Sequence, residues 1–306
     1  MAKSAATSYL HVAYSLVIGT DVELPCPVAG GSSPPDVTMR EAGDSSLTRS
    51  DRREGVWFQS DRRPDGSDVL RWGDTYECWV SADGRSIRYT SLHDANAGAF
   101  GVYVVSSALS FSLLKLGKEH LHATCVVVDG EAFGFLGQPG DGKSTLAASF
   151  LAEGHPLLTD DLLVLDDQGG HTVSYPGLPR IKLTPETAET VLGGTHQAGL
   201  PMNPQTSKLV LPVGDAFWET PVRLRRLYVL GEGSSVSVGK LPSEEAFLAL
   251  TQNTYNAAVA DSGRLQQHLD FVERVYSTLG VSFVRYPRDY GCLKEVRAAI
   301  LRDLAA

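Results

Sequence analysis

Residues 137–144 read Gly-Gln-Pro-Gly-Asp-Gly-Lys-Ser, and what flanks them narrows the fold more than anything else in the chain. Upstream, His122–Val128 (HATCVVV) and Glu131–Leu136 (EAFGFL) are short apolar runs separated by Asp129-Gly130. Both turn positions tolerate positive φ, so the pair predicts a tight two-residue hairpin. Downstream, TLAASFLAE puts Leu146 and Phe150 on one helix face, with Gly154 as its stop and Pro156 just beyond. A glycine-rich loop between strand and helix turns backbone N–H groups inward around an anion, and the helix start adds its positive dipole end. The loop fits G-x-x-x-x-G-K-[ST]. The expected cradle for the phosphates of a nucleotide triphosphate is therefore Gly137, Gln138, Pro139, Gly140, Asp141, Gly142, Lys143, Ser144 and Thr145. Lys143 reaches the outer phosphates, and Ser144 offers its hydroxyl to Mg²⁺.

Counting along the hairpin adds an imidazole. Val128 faces Glu131, Val126 faces Phe133, and the same register carries His122 to a place opposite Gly137, at the rim of the cradle. Asp160 and Asp161 then lie inside an apolar run, between Leu157-Leu158 and Leu162–Leu165. Two carboxylates in such a run need a cation or hydrogen bonds to offset their burial. As neighbours on a strand they are expected on opposite faces, so one can organise Mg²⁺ while the other accepts the proton of an attacking hydroxyl. Arg180 and Lys182 alternate with Ile181 and Leu183, share a strand face, and are candidate contacts for a phosphate or substrate. Arg223 and Arg225 have the same spacing, and either pair also reads as an ordinary polar face. Asp166 and Asp167 read as turn residues before Gln168-Gly169-Gly170, and His155, after the helix stop, as structural.

A chain of 306 residues suggests two domains. We expect an α/β protein of mixed α+β character, with a β-rich N-terminal domain over 1–101 and a nucleotide-binding domain over 102–306. The front third has short alternating runs: Met1–Thr20 reads as a strand, and Tyr76–Val80 with Ile87–Thr90 as a hairpin. Arg49–Asp74 is dense in charge and contains SDRRE and SDRRP, and nothing in it has catalytic spacing. Val102–Leu116 predicts a buried helix. Thr184 is placed to cap a short helix starting at Pro185, Ser243 to cap one running to about Ala258, and a second amphipathic helix follows through Leu279. With 27 Lys and Arg against 36 Asp and Glu, the net charge of −9 disfavours general binding to nucleic acid or an anionic membrane. No stretch approaches the roughly 20 apolar residues of a membrane span. The four cysteines, Cys26, Cys78, Cys125 and Cys292, form no Cys-x-x-Cys pair, and no signal peptide is read at the start. Together these predict a reduced, cytoplasmic protein.

From His122 to Leu183 the sequence resembles the HPr kinase family, which shares its nucleotide-binding core with phosphoenolpyruvate carboxykinases. The resemblance is carried, in order, by LHATCVVVDG, GQPGDGKST, GHPLLTDD and PGLPRIKL. It implies a P-loop core with a mixed sheet flanked by helices, and an ATP- and Mg²⁺-dependent kinase acting on a seryl hydroxyl of a protein or peptide partner. It further implies that His122 is an active-site residue, that Lys143 and Ser144 serve the phosphates and the metal, and that Asp161 is the proton acceptor. Asp160 corresponds to the first acid and is the second metal candidate beside Ser144. The family's Mg²⁺-binding glutamate, shortly before the Gly-Leu of the later motif, has Ser174 near its place here, and the later arginine motif has no counterpart. Reversal by phosphorolysis is therefore not expected. The layout is similar to divergent kinases found beside peptide natural-product genes, including those that phosphorylate lasso-peptide precursors. The competing expectations are a small-molecule phosphotransferase of carboxykinase type and a non-catalytic nucleotide-sensing module.

Overall fold

The computed structural model describes residues 9–31, 34–42, 53–195, 198–254 and 262–305. The first residues of the SDRRE copy, and residues 255–258 of the helix expected from Ser243, lie outside them. The chain divides into two units, one formed by Met1–Lys118 with Leu200–Leu209, the other by Glu119–Gly199 with Val210–Ala306.

In the first unit, β1 (Tyr9–Ala13) and β2 (Leu16–Thr20) replace the expected single strand. Tyr14 and Ser15 take positive φ values of 54° and 68°, which fold the run back so that Ala13 faces Leu16. The other strands are β3 (Val37–Glu41), β4 (Phe58–Arg62), β5 (Asp68–Trp72), β6 (Tyr76–Val80) and β7 (Ser86–Ser91). Among the described residues they form a seven-stranded sheet in the order β1-β2-β3-β7-β6-β5-β4. The expected hairpin pairs β6 with β7, Val80 facing Ile87.

A continuous helix, Ala97–Lys115, follows: α1 (Ala97–Ala99), a π-helical stretch (Phe100–Ala108) and α2 (Leu109–Lys115). Asn96 caps it, its Oδ1 accepting from Ala99 N at 2.9 Å. Tyr103 stacks on Trp72 at 5.3 Å, and Phe100 meets Tyr89 edge-on at 5.1 Å. This helix therefore belongs to the sheet before it, and the first unit runs to Lys118 rather than ending at residue 101. By length and composition it could cross a membrane, which corrects the expectation that no stretch comes close, but most of it is buried.

The second unit opens with β8 (His120–Val128), turns at Asp129-Gly130 and returns as β9 (Glu131–Leu136). The register is the one expected, Val128 facing Glu131 and Ala123 facing Leu136. The phosphate loop leads into α3 (Lys143–Leu151), which buries Leu146 and Phe150. Then come β10 (Leu157–Thr159), β11 (Leu162–Gln168), β12 (His171–Ser174) and β13 (Arg180–Leu183). Next is the single turn α4 (Pro185–Thr187), capped by Thr184 as expected. After β14 (Leu200–Pro201) and β15 (Leu209–Pro212) the chain supplies β16 (Val222–Glu232), β17 (Ser237–Lys240), α5 (Ser243–Gln252), α6 (Ser262–Thr278), β18 (Gly280–Tyr286) and α7 (Leu293–Ala305). Pro242, not Ser243, stands at the start of α5.

β9 pairs parallel with β16, which pairs parallel with β18, while β8, β10, β11 and β17 run antiparallel to their neighbours. The sheet is thus mixed. Leu121, Ala123, Leu136, Leu163, Leu227 and Val281 on its strands pack with Leu250, Val272 and Val275 from α5 and α6. The opposite side holds Phe133, Phe135, Phe150 and Tyr228 in an aromatic cluster with ring centroids 5.2–6.5 Å apart. These two layers fix the start of α3 relative to β8 and β9, and so fix the loop between them.

Candidate functional site

The loop is held by its glycines and by its neighbours. Gly137, Gly140 and Gly142 all have positive φ. At Gly142, with φ 91°, a Cβ would stand 2.9 Å from the Tyr286 hydroxyl, so both backbone conformation and space demand glycine. Inside the loop, the Asp141 carboxylate accepts from Gln138 N at 2.6 Å. Lys143 is buried, and its ammonium donates to Gly137 O at 2.5 Å and Gln138 O at 3.4 Å. Gln138, Pro139 and Gly140 are exposed, whereas Ser144 and Thr145 are half-buried in the first turn of α3.

β10 and β11 lie on one line against β8, with Thr159 facing Cys125 and Leu162 facing His122. Asp160 and Asp161 fill the break between them, opposite Thr124 and Ala123. The strand is interrupted, yet the acids are not a solvated turn, because both are buried. Asp161 has φ 86°, and its carbonyl accepts from Ala123 N at 3.1 Å. This left-handed residue cancels the alternation of a regular strand, so the expectation of opposite faces is corrected: both carboxylates turn to Lys182. Asp160 Oδ2 accepts from Lys182 N at 2.9 Å, and the Lys182 ammonium pairs with Asp161 Oδ2. The other oxygen of Asp160 accepts from Thr124 Oγ1 at 2.7 Å and from Ser144 Oγ at 3.0 Å. The loop serine and the first acid are thereby joined.

Electrostatics separate the groups. Burial alone pushes the Asp161 carboxyl up, but the charges of Lys182 and Arg180, joined in acid by that of protonated His122, outweigh it and hold it well below the usual carboxylate range. His122 is pushed down to about 4, first by burial, with Lys143 and Lys182 adding to the effect and Asp161 opposing it. At neutral pH the site therefore holds a neutral imidazole beside an ionised carboxylate. Arg180 is buried on the same strand as Lys182, with its charge felt at Asp161.

The structure thus brings together His122, the loop, Lys143, Ser144, Asp160, Asp161, Arg180 and Lys182. Arg223 and Arg225 instead pair with Glu131 at 3.6 and 2.7 Å, at the hairpin-turn end of β9. That is roughly 20 Å along the strand from the loop. His155 also lies at that end, its ring 5.7 Å from Phe150. Ser174 is buried and donates to Val222 O at 2.9 Å, so it does not take the place of a metal carboxylate. Two neighbours escape sequence reasoning. Arg288 binds the Asp141 carbonyl and pairs with its carboxylate at 3.3 Å. Asn253 accepts from Gly137 N at 2.9 Å. Neither lies in a motif, and only long-range folding brings them to the loop.

No family model matches the chain, and no curated protein matches it. Among solved structures, the chain is similar to the HPr(Ser) kinase/phosphatase from Coxiella burnetii, at 12% identity and a TM-score of 0.34, over 61% of this chain and 96% of that one. A likeness of that size assigns neither family nor activity.

Proposed function

We propose that this chain is an ATP-dependent kinase that transfers the γ-phosphoryl group to a seryl hydroxyl of a protein or peptide. The observation that carries the reading is the division of labour between two consecutive acids. Asp160 is bonded to the serine of the phosphate loop, while Asp161 stands apart from that bond, beside His122 and Lys182. In the proposed step the serine Oγ forms a bond to the γ-phosphorus as the bond to the ADP oxygen breaks. ADP leaves with that electron pair, and the hydroxyl proton passes to Asp161. Paired with Lys182, Asp161 is a weak acceptor. Lys182 is drawn toward the arriving phosphoryl oxygens, which restores basicity to the carboxylate as the proton is released. Neutral His122 orients Asp161 without competing for its charge. Lys143 neutralises charge growing on the transferred group.

The residues present fit Mg²⁺. Ser144 Oγ and Asp160 Oδ1, 3.0 Å apart, are hard oxygen donors of the kind that ion takes together with phosphate oxygens. Bound there, it would shield the charge of the β- and γ-phosphates. Among the described residues no group of three or more His, Cys, Asp or Glu side chains is placed to hold a metal by itself.

The test is incubation with labelled ATP, Mg²⁺ and seryl peptides, comparing the parental chain with Asp161→Asn. The variant is expected to lose transfer by about 10²-fold or more while keeping its affinity for ATP. Transfer at the parental rate would refute the assignment. A nucleotide-sensing module is the second reading, favoured by Ser174 in place of the expected glutamate. It requires tight ATP binding with neither transfer nor hydrolysis.

A further inference from the structure

We infer that Asn253 is a positioning residue that sets the phosphate loop and the His122 strand at one fixed height relative to each other. The inference rests on the proposed kinase reading for its catalytic consequence, but not for its geometry. Asn253 follows the last turn of α5 and is buried. Its Oδ1 accepts from Gly137 N at 2.9 Å, at the first residue of the loop. Its Nδ2 donates to Ala249 O at 2.8 Å, which fixes the carboxamide orientation. Its backbone carbonyl accepts from His122 N at 2.6 Å. Beyond Leu136 and Ala123 the β8–β9 ladder ends, so Gly137 and His122 have left their common register. Asn253 takes over the amides of both.

The position of Asn253 is itself fixed from the far side. Leu121 bridges Thr254 in an antiparallel contact, and the Thr254 hydroxyl bonds His268 Nε2 on α6. His268 Nδ1 in turn faces Glu119 Oε2 at 3.7 Å, just before β8, and both side chains are buried. Asn253, with φ −94° and ψ 20° just past α5, turns its side chain to the loop, while the Thr254 hydroxyl reaches α6. A polar path thus starts at Glu119, just before β8, crosses to α6 and returns to β8 at His122. Hydrogen bonds at Thr254–His268 and His122–Asn253, with the 3.7 Å approach of His268 to Glu119, together restrict Asn253 to one geometry.

Removing the carboxamide leaves a buried N–H at Gly137 without its acceptor and lets the loop move relative to His122. The phosphates still meet the remaining loop amides, so alignment suffers more than binding. Asn253→Ala is expected to lower kcat for peptide phosphorylation about ten- to a hundred-fold, with KM for the peptide within about two-fold. In a His122→Ala background the same substitution is expected to have a smaller effect, because part of its action passes through that residue. A second readout needs no activity. In the full chain, the Gly137 amide resonance should shift and lose hydrogen-exchange protection in Asn253→Ala, with His122 shifting alongside it. Asn253→Asp keeps an acceptor for Gly137 N–H and should retain that protection, which covers the case where the alanine variant folds poorly. Should the parental chain transfer nothing to any acceptor, the kinase reading fails while the two amides still decide this inference. Unchanged Gly137 and His122 amides in Asn253→Ala, or equal kcat losses with and without His122, would overturn it.

Discussion

Asp161 holds a backbone conformation that costs a non-glycine residue on the order of 1 kcal/mol, and its φ of 86° lets its carboxylate join that of Asp160 at Lys182. The ion pair is almost fully buried, so removing one partner strands the other charge. Lys182→Met should therefore destabilise the protein by about 2–4 kcal/mol at pH 7. The paired carboxyl lies below its unfolded value, so its contribution is present above about pH 4 and is lost only as acid falls through the folded pKa. Unpaired in the variant, it rises and takes up a proton early, which removes the stranded charge. The gap between the parental and Lys182→Met denaturation midpoints should be wide at pH 7 and narrow at pH 3. An equal gap at both would contradict the pairing. His122 runs the same way for a different reason. Its folded pKa near 4 lies below the unfolded value of about 6.5, so the unfolded chain binds the extra proton between them. Stability should fall as pH drops from about 6.5 to 4, and His122→Gln should flatten that slope in urea titrations. Symmetry about Asp129-Gly130 makes the β8–β9 register legible in the sequence as far as Ala123 opposite Leu136, but the expected pairing of His122 with Gly137 is not made, and His122 faces Leu162 instead. The left-handed Asp161 is not legible, because no glycine or proline marks it and a strand pattern runs through on both sides.

The phosphate loop is a local element with long-range supports. Its strand, its glycines and the start of α3 can all be read from consecutive residues. Its braces cannot: Arg288 reaches it from beyond β18, and Asn253 from the end of α5. The same limit explains the paired strands β1 and β2, where Tyr14 and Ser15 take positive φ without the glycine or asparagine that advertises such a turn. Gly142→Ala tests the element. The added methyl meets the Tyr286 hydroxyl at 2.9 Å and forces an unfavourable backbone, so the loop must shift. ATP affinity, read by calorimetry, should drop at least about ten-fold while α3 keeps its buried Leu146 and Phe150 face and thus its thermal stability to within a few degrees. Parental affinity would show that the loop conformation is not the one that binds.

At the scale of the whole chain, the β8–β9 hairpin and the helix α3 after the loop follow from short patterns, whereas β14, β15, β17 and the limits of the units do not. The helix Ala97–Lys115 looks like an entry to the nucleotide-binding part because it precedes it in sequence. Rings of β5 and β7 at Trp72 and Tyr89 bind it to the first sheet instead. Residues Leu200–Leu209 return to that unit from within the second, which no local composition announces. What joins sequence to chemistry is narrower than either unit: an imidazole on β8 and a carboxylate between β10 and β11, set beside one glycine-rich loop. A crystal structure of the chain with Mg²⁺ and a non-hydrolysable ATP analogue tests that claim most directly. We predict the γ-phosphate beside Asp161 and His122, with Lys182 moved from the carboxylate to the phosphate. A triphosphate bound with either side chain turned away, beyond the reach of a bridging water, would contradict it.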